Sequence, residues 1–203
     1  VELMLPEYRA PDEEGVIPVD TEKDILPASK DMAARAARES ERFDIIHTHD
    51  WFGSEAGLKA SKHGDTRWIS TFHSLNHQRS HKGSREIEKR ERAAAEKADK
   101  VISVSRDLSH QLKKKFGRKP VVIHNGFSSK ESSGRDVKQE LEISGPMIFF
   151  VGRHAEQKGI EHLVYGFSKL EREDARLVIG GDGYLREPLE KFVEILGMED
   201  RVI

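Results

Sequence analysis

Hydrophobic positions along this chain fall in short unbroken runs. DIIHTH (44–49), RWISTF (67–72), KVISVS (100–105), PVVIHN (120–125), MIFFVG (147–152) and RLVIGG (176–181) are rich in β-branched or aromatic residues, and each predicts a strand. Between many of them the apolar spacing changes to the helical period. Ser29–Arg42 is Ala-rich and charged, and Arg85–Ala98, REIEKRERAAAEKA, combines strong helix formers with Glu86–Arg90 and Glu88–Arg92 at i,i+4. In SRDLSHQLKKKFG, Ser105 stands at the N-cap, Leu108, Leu112 and Phe116 form a stripe, and Gly117 can close the end. Ile160, Leu163, Val164, Phe167 and Leu170 make another apolar face, as do Leu185, Leu189, Phe192 and Leu196 before Gly197.

Continuous apolar strands alternating with helices predict an α/β protein whose parallel sheets are covered on both faces. The run FSSKESSGRD (127–136) is polar and unpatterned, which reads as a linker or loop between two α/β units. The boundary is placed near Ser144, dividing the chain into 1–143 and 144–203. The acidic stretch 9–27, with three prolines, reads as an irregular loop. The chain opens VELMLPEY without an initiator Met and ends MEDRVI where a strand would begin. The expectation is an internal piece of a longer polypeptide, with both units incomplete.

Composition narrows the function classes. The 203 residues are 36% hydrophobic and 34% charged with a net charge of −2, so no global field points to nucleic acid or an anionic membrane. No window approaches the ~18 apolar residues that span a bilayer, and no signal peptide is visible. Cysteine is absent, which removes disulfides and thiolate metal sites. The expectation is a cytoplasmic protein with no nucleic-acid partner and no membrane span.

The candidate chemistry centres on VGRHAEQKGIEHL (151–163). Ligands of open parallel sheets bind outside the carboxyl ends of strands, where loops enter helix N-termini. Here Gly152 lets the backbone approach a ligand, Arg153 offers a planar fork, Lys158 adds a compact charge, and the amides opening the next helix favour an anion. Together they suit a phosphate or diphosphate; the plainer alternative is a pair of solvated loop cations. Six of the ten histidines, His47, His49, His63, His73, His77 and His81, lie close together in sequence. His47 and His49 would share one strand face and could join Asp50 and His73 around a metal. A hydrogen-bonded role at the end of a buried strand is the stronger reading, and no metal is expected.

GRHAEQKG (152–159) resembles the G-R-x-x-x-x-K-G signature of the retaining glycosyltransferases of the glycogen/starch synthase superfamily. HTHDW (47–51) resembles the H-x-H-D-W of glycogen synthases and STFHSLN (70–76) their F-T-x-H-N segment. VIHNGF (122–127) and LVIGGDG (177–183) are similar to the family's N-G and G-x-G-D turns, so five motifs follow in the family's order from about Phe43 onward. The resemblance implies two facing Rossmann-like domains, the fold called GT-B, with donor and acceptor meeting between them. Arg153 and Lys158 would hold the donor diphosphate and stabilise the leaving group, and His73 would face the donor sugar. Asp50 would contact donor or acceptor sugar, with His47 and His49 as supporting residues and Trp51 packed at the cleft edge. Asn125, Gly152, Gly181 and Gly183 would line the donor side, although Asn125-Gly126 and Gly181-Asp182-Gly183 could equally be tight turns.

The chain departs from the pattern at Phe52, where many bacterial glycogen synthases have His, and at Ser74, where they have Asn. The family's N-terminal Gly-rich loop and its later pair of glutamates do not occur in these residues, so the 203 residues alone are expected to lack transfer activity. His77, His81 and Lys82 are left with no role beyond acceptor contact. The resemblance implies transfer of a hexose, glucose foremost, from a nucleotide diphosphate sugar such as a UDP- or ADP-sugar to a glycan or other hydroxyl acceptor, with no cofactor. The rivals are mannosyl-, sucrose- or trehalose-forming relatives, a nucleotide-sugar epimerase, and a binding module without chemistry.

Overall fold

The computed structural model describes residues 1–62, 65–79, 84–129 and 134–203. The chain divides into two compact units, Val1–Phe127 and Ser128–Ile203. The division falls earlier than Ser144. Residues 137–143 form a capped helical turn, with the Asp136 carboxylate accepting from the Lys138 and Gln139 amides, and the turn ends on buried Ile143.

In the first unit the elements run β1 (Leu3–Pro6), β2 (Val16–Val19), α1 (Ile25–Glu39), β3 (Ile45–His49), α2 (Asp50–Ala60), β4 (Arg67–Phe72), α3 (Asn76–Arg79), α4 (Arg85–Lys97), β5 (Lys100–Ser103), α5 (Arg106–Phe116) and β6 (Val121–Val122). β1 and β2 pair in parallel, as do β3, β4, β5 and β6 in that order. The register sets His47 beside Ile69 and His49 beside Thr71. Predicted caps form where the sequence placed them: the Ser105 hydroxyl accepts from the Leu108 amide, and Gly117 closes α5 with φ 72°. Glu86 pairs with Arg90 as expected, whereas Arg92 pairs with Glu96 and leaves Glu88 to Lys115.

The core lies on one side of the four-stranded sheet. Trp68, Phe72 and Val101 point there and meet Ala94 and Ala95 of α4 and Leu108 and Leu112 of α5. α2 presses unusually close, because a side chain at Gly57 would overlap the Trp68 indole, whose Nε1 donates to the Thr48 hydroxyl at 2.9 Å. Small residues also let α1 and α2 meet, through Ala33, Ala36 and Ala56. Arg90 ties the helices together: its buried guanidinium pairs with Glu55 at 3.1 Å and Glu86 at 3.2 Å, and donates to Ser29. Among the described residues of the first unit the opposite face carries exposed apolar side chains, against the expectation of a sheet covered on both faces. Ile45, Val121 and Ile123 are each 54% exposed there.

The second unit contains α6 (Val137–Glu140), β7 (Met147–Val151), α7 (Ile160–Ser168), β8 (Arg176–Gly180) and α8 (Arg186–Ile195). β7 and β8 are parallel, and a parallel bridge from Leu177 to Val202 adds the next strand position. Ile160, Val164 and Phe167 of α7 and Leu189 and Val193 of α8 cover one face of this pair. Phe149 and Val151 stand exposed on the other. The stretch 9–27 is not one irregular loop, since it contains β2 and the first residues of α1. Among the described residues no helix is long and apolar enough to cross a membrane.

Candidate functional site

At the carboxyl ends of β3 and β4, side chains of alternate residues share the open sheet face. His47 Nε2 lies 2.7 Å from Thr71 Oγ1, and His49 Nδ1 lies 2.9 Å from His73 Nε2. The His47 and His49 rings stack with centroids 4.6 Å apart, and His49 and His73 follow at 5.2 Å. Burial, then the neighbouring imidazoles, holds His49 below the ordinary histidine value, and Asp50 opposes this more weakly. Burial and the His73 ring lower His47 in the same way.

Asp50 stands where β3 turns into α2, in the left-handed region at φ 54°, a conformation that aspartate tolerates better than most residues. Its carboxylate accepts from the backbone amides of His73 at 2.8 Å and Ser74 at 3.4 Å. The residue therefore ties the end of β3 to the end of β4. Trp51 is packed, 6% exposed, with the Arg90 guanidinium over its ring. Among the described residues no group of three or more His, Asp or Glu side chains is arranged for a metal ion. One nitrogen of each ring is engaged, His47 Nε2 with Thr71 and His49 Nδ1 with His73 Nε2. His63, His81 and Lys82 lie outside the described residues.

In the second unit β7 ends at Val151, and the chain passes through Gly152, Arg153 and a 3-10 turn (Glu156–Lys158) into α7. Gly159, at φ 60°, makes the entry to the helix. Arg153 and Lys158 are exposed, and among the described residues neither side chain has an acidic or hydrogen-bonding partner. They face solvent beside the α7 amides, at the carboxyl edge of a parallel sheet, which is where an anion is best received.

The glycines here have a packing reason. A Cβ on Gly181 would overlap the Gly152 carbonyl, one on Gly183 the His154 carbonyl, and both have positive φ. The loops after β7 and β8 thus touch backbone to backbone, joined by the His154 amide donating to the Asp182 carbonyl at 2.8 Å. His154, which sequence reasoning passed over, is buried with both ring nitrogens lacking a partner among the described residues. Asn125 lies beyond β6, exposed, and neither it nor Gly126 adopts positive φ, so no left-handed Asn-Gly turn forms. Within the first unit the structure gathers Asp50 with His73, and within the second it brings the loop holding Gly152, Arg153 and Lys158 against the loop of Gly181 and Gly183.

Comparison with known proteins gives two family matches in chain order: glycosyltransferase family 4 over residues 2–131 and glycosyl transferases group 1 over residues 133–203. An uncharacterized glycosyltransferase of Methanocaldococcus jannaschii is 30% identical over 180 residues, covering 80% of this chain and 46% of the relative. A D-inositol 3-phosphate glycosyltransferase of Xylanimonas cellulosilytica is 25% identical over 199 residues, 85% of this chain and 47% of its own length. Among solved structures, sucrose-phosphate synthase from Thermosynechococcus elongatus superposes with a TM-score of 0.78 at 22% identity, covering 93% of this chain and 53% of that one. The chain spans about half the length of these curated relatives.

Proposed function

The chain belongs to the group 1 glycosyltransferases, and on that premise we propose that the whole polypeptide is a retaining, glycogen-synthase-like enzyme. It transfers a hexose, glucose foremost, from a nucleotide diphosphate sugar to a glycan or other hydroxyl acceptor. The observation that carries this reading is the exposed cation pair, Arg153 and Lys158, without a partner among the described residues, at the strand-to-helix corner after β7. Two exposed cations beside the amides of a helix N-terminus, at the carboxyl end of a parallel strand, have the chemistry of an anion receptor.

In this reading Arg153 forks onto the diphosphate oxygens and Lys158 adds a point charge. As the bond from the sugar's anomeric carbon to the phosphate oxygen breaks, its electron pair passes to that oxygen. Negative charge grows where the two cations are aimed, so they bind the transition state more tightly than the ground state. The acceptor hydroxyl forms the new bond to the anomeric carbon, and its proton leaves with the diphosphate. Loss of one such donor costs ~3 kcal/mol of barrier, about a hundredfold in rate. The two side chains supply the positive charge, so the reading calls for no metal. His73 contacts a hydroxyl of the donor sugar, and Asp50 fixes the strand end that presents it.

Incubating the full-length polypeptide with UDP- or ADP-glucose and a glycan primer, and reading the anomeric configuration of the product by NMR, tests this. An α-linked product from the α-configured donor is expected. A β-linked product, or an isomerised nucleotide sugar with nothing transferred, contradicts the proposal.

A further inference from the structure

We propose that His49 is the positioning residue that fixes the tautomer of His73, so that His73 presents Nδ1 as a hydrogen-bond acceptor to a hydroxyl of the donor sugar. The role of the sugar rests on the reading of His73 given above; the tautomer rests on the ring contacts of the sheet face together with the intrinsic preference of a neutral imidazole.

A neutral imidazole carries one donor nitrogen and one acceptor, and the partner of one nitrogen decides the state of the other. Four side chains, His47, His49, Thr71 and His73, meet in two contacts: His47 Nε2 with Thr71 Oγ1, and His49 Nδ1 with His73 Nε2. Putting the proton on Nε2 of every ring, the form a neutral histidine side chain favours by itself, satisfies both at once. His47 then donates to the Thr71 hydroxyl, and His73 donates to the lone pair on His49 Nδ1. The opposite direction would force His49 and His73 together into the less favoured Nδ1–H form. Geometry and intrinsic preference agree on one arrangement.

Burial favours the neutral form of His47 and His49. His49 faces the stacked His47 ring on β3, His73 from β4, and the Asp50 carboxylate opening α2. Burial and the two imidazoles outweigh the carboxylate and hold His49 below the ordinary value. Asp50 is engaged with the His73 and Ser74 amides, so it anchors the backbone while His49 anchors the ring. His73 is exposed, and its Nδ1 makes no hydrogen bond among the described residues. With Nε2 committed to His49, Nδ1 is the nitrogen left for a ligand.

The consequence is chemical selection. An acceptor nitrogen takes a hydroxyl, which can donate, and refuses a phosphate or carboxylate oxygen, which cannot. His49 thereby makes this end of the sheet a sugar-hydroxyl reader, while the diphosphate is left to the cations of the second unit.

The test uses ring-nitrogen NMR of histidine-labelled protein at about pH 8, without ligand, on wild type, His49→Asn and His49→Leu. In wild type, His73 Nε2 is expected to be the protonated, pyrrole-like nitrogen, with a scalar coupling across the hydrogen bond to a pyridine-like His49 Nδ1. His49→Asn sets an amide oxygen near the place of Nδ1 and should keep His73 in that single tautomer. His49→Leu should move both His73 nitrogens toward the averaged values of exchanging tautomers. A proton on His49 Nδ1, no coupling in wild type, or an unchanged His73 in His49→Leu would overturn the proposal. Because no nucleotide sugar is present, a failure of donor binding would count against the proposed function and leave this result standing.

Discussion

His47 and His49 give up part of their hydration to a sheet face that they share with a third imidazole, and this sets how stability responds to acid. Both titrate below their ordinary value in the folded chain, for which burial is the leading cause. The unfolded chain, with histidine near 6.5, therefore binds protons more readily. The stabilisation is fully present above about pH 6.5 and is lost as pH falls through the lowered folded values. The urea midpoint should fall between pH 7.5 and 5.5, and His47→Asn/His49→Asn should flatten that fall; a midpoint that rises on acidification would refute it. The paired carboxylates Glu39, Asp99 and Asp174 are also lowered, but they lose their contribution at more acidic pH, outside this window. At this scale the sequence made the residues visible and hid their partners. HTHDW placed His47 and His49 on one face, yet the bond from His49 to His73 depends on the β3–β4 register, which spacing along one strand does not carry.

Elements here are held by close approach and by one buried cation. Gly57 lets α2 lie against the Trp68 indole, and a methyl group there has nowhere to go. Gly57→Ala should destabilise by about 1–3 kcal/mol, the usual cost of overpacking a dense core, read as a lower denaturant midpoint with unchanged m. Arg90 joins α1, α2 and α4 through Ser29, Glu55 and Glu86. Glu55 and Glu86 keep access to water, so Arg90→Ala loses the packing of a buried side chain and its bond to Ser29 and should cost on the order of 2 kcal/mol by the same measurement, and a cost within ~0.5 kcal/mol would contradict the clamp. The strands β3, β4, β7 and β8 were legible because parallel strands read as unbroken apolar runs. α2 was not, since Gly53 and Gly57, which its packing demands, weaken the helical pattern. β2 was masked by Pro18 and the acidic residues around it, and PVVIHN keeps only two residues in β6.

At the scale of the whole molecule, a net charge of −2 offers no general attraction for a nucleotide sugar, so recognition must be local. The cations assigned to it are exposed, and screening at exposed sites is strong. Raising ionic strength from about 0.05 to 0.5 M should therefore weaken UDP-glucose binding several-fold, and salt-insensitive binding would place the diphosphate elsewhere. The five motifs made the family legible before any coordinate, because each keeps its place in chain order. What they left unread was the packing purpose of their own glycines, Gly152, Gly181 and Gly183, which let the loops after β7 and β8 touch. The central claim, that Arg153 and Lys158 receive the donor's diphosphate, is tested most directly by titration calorimetry of UDP- and ADP-glucose into the full-length polypeptide and its Arg153→Ala and Lys158→Ala variants. Losing one charge-assisted contact should weaken binding roughly ten- to hundredfold in each variant; equal affinity in wild type and both variants would contradict it.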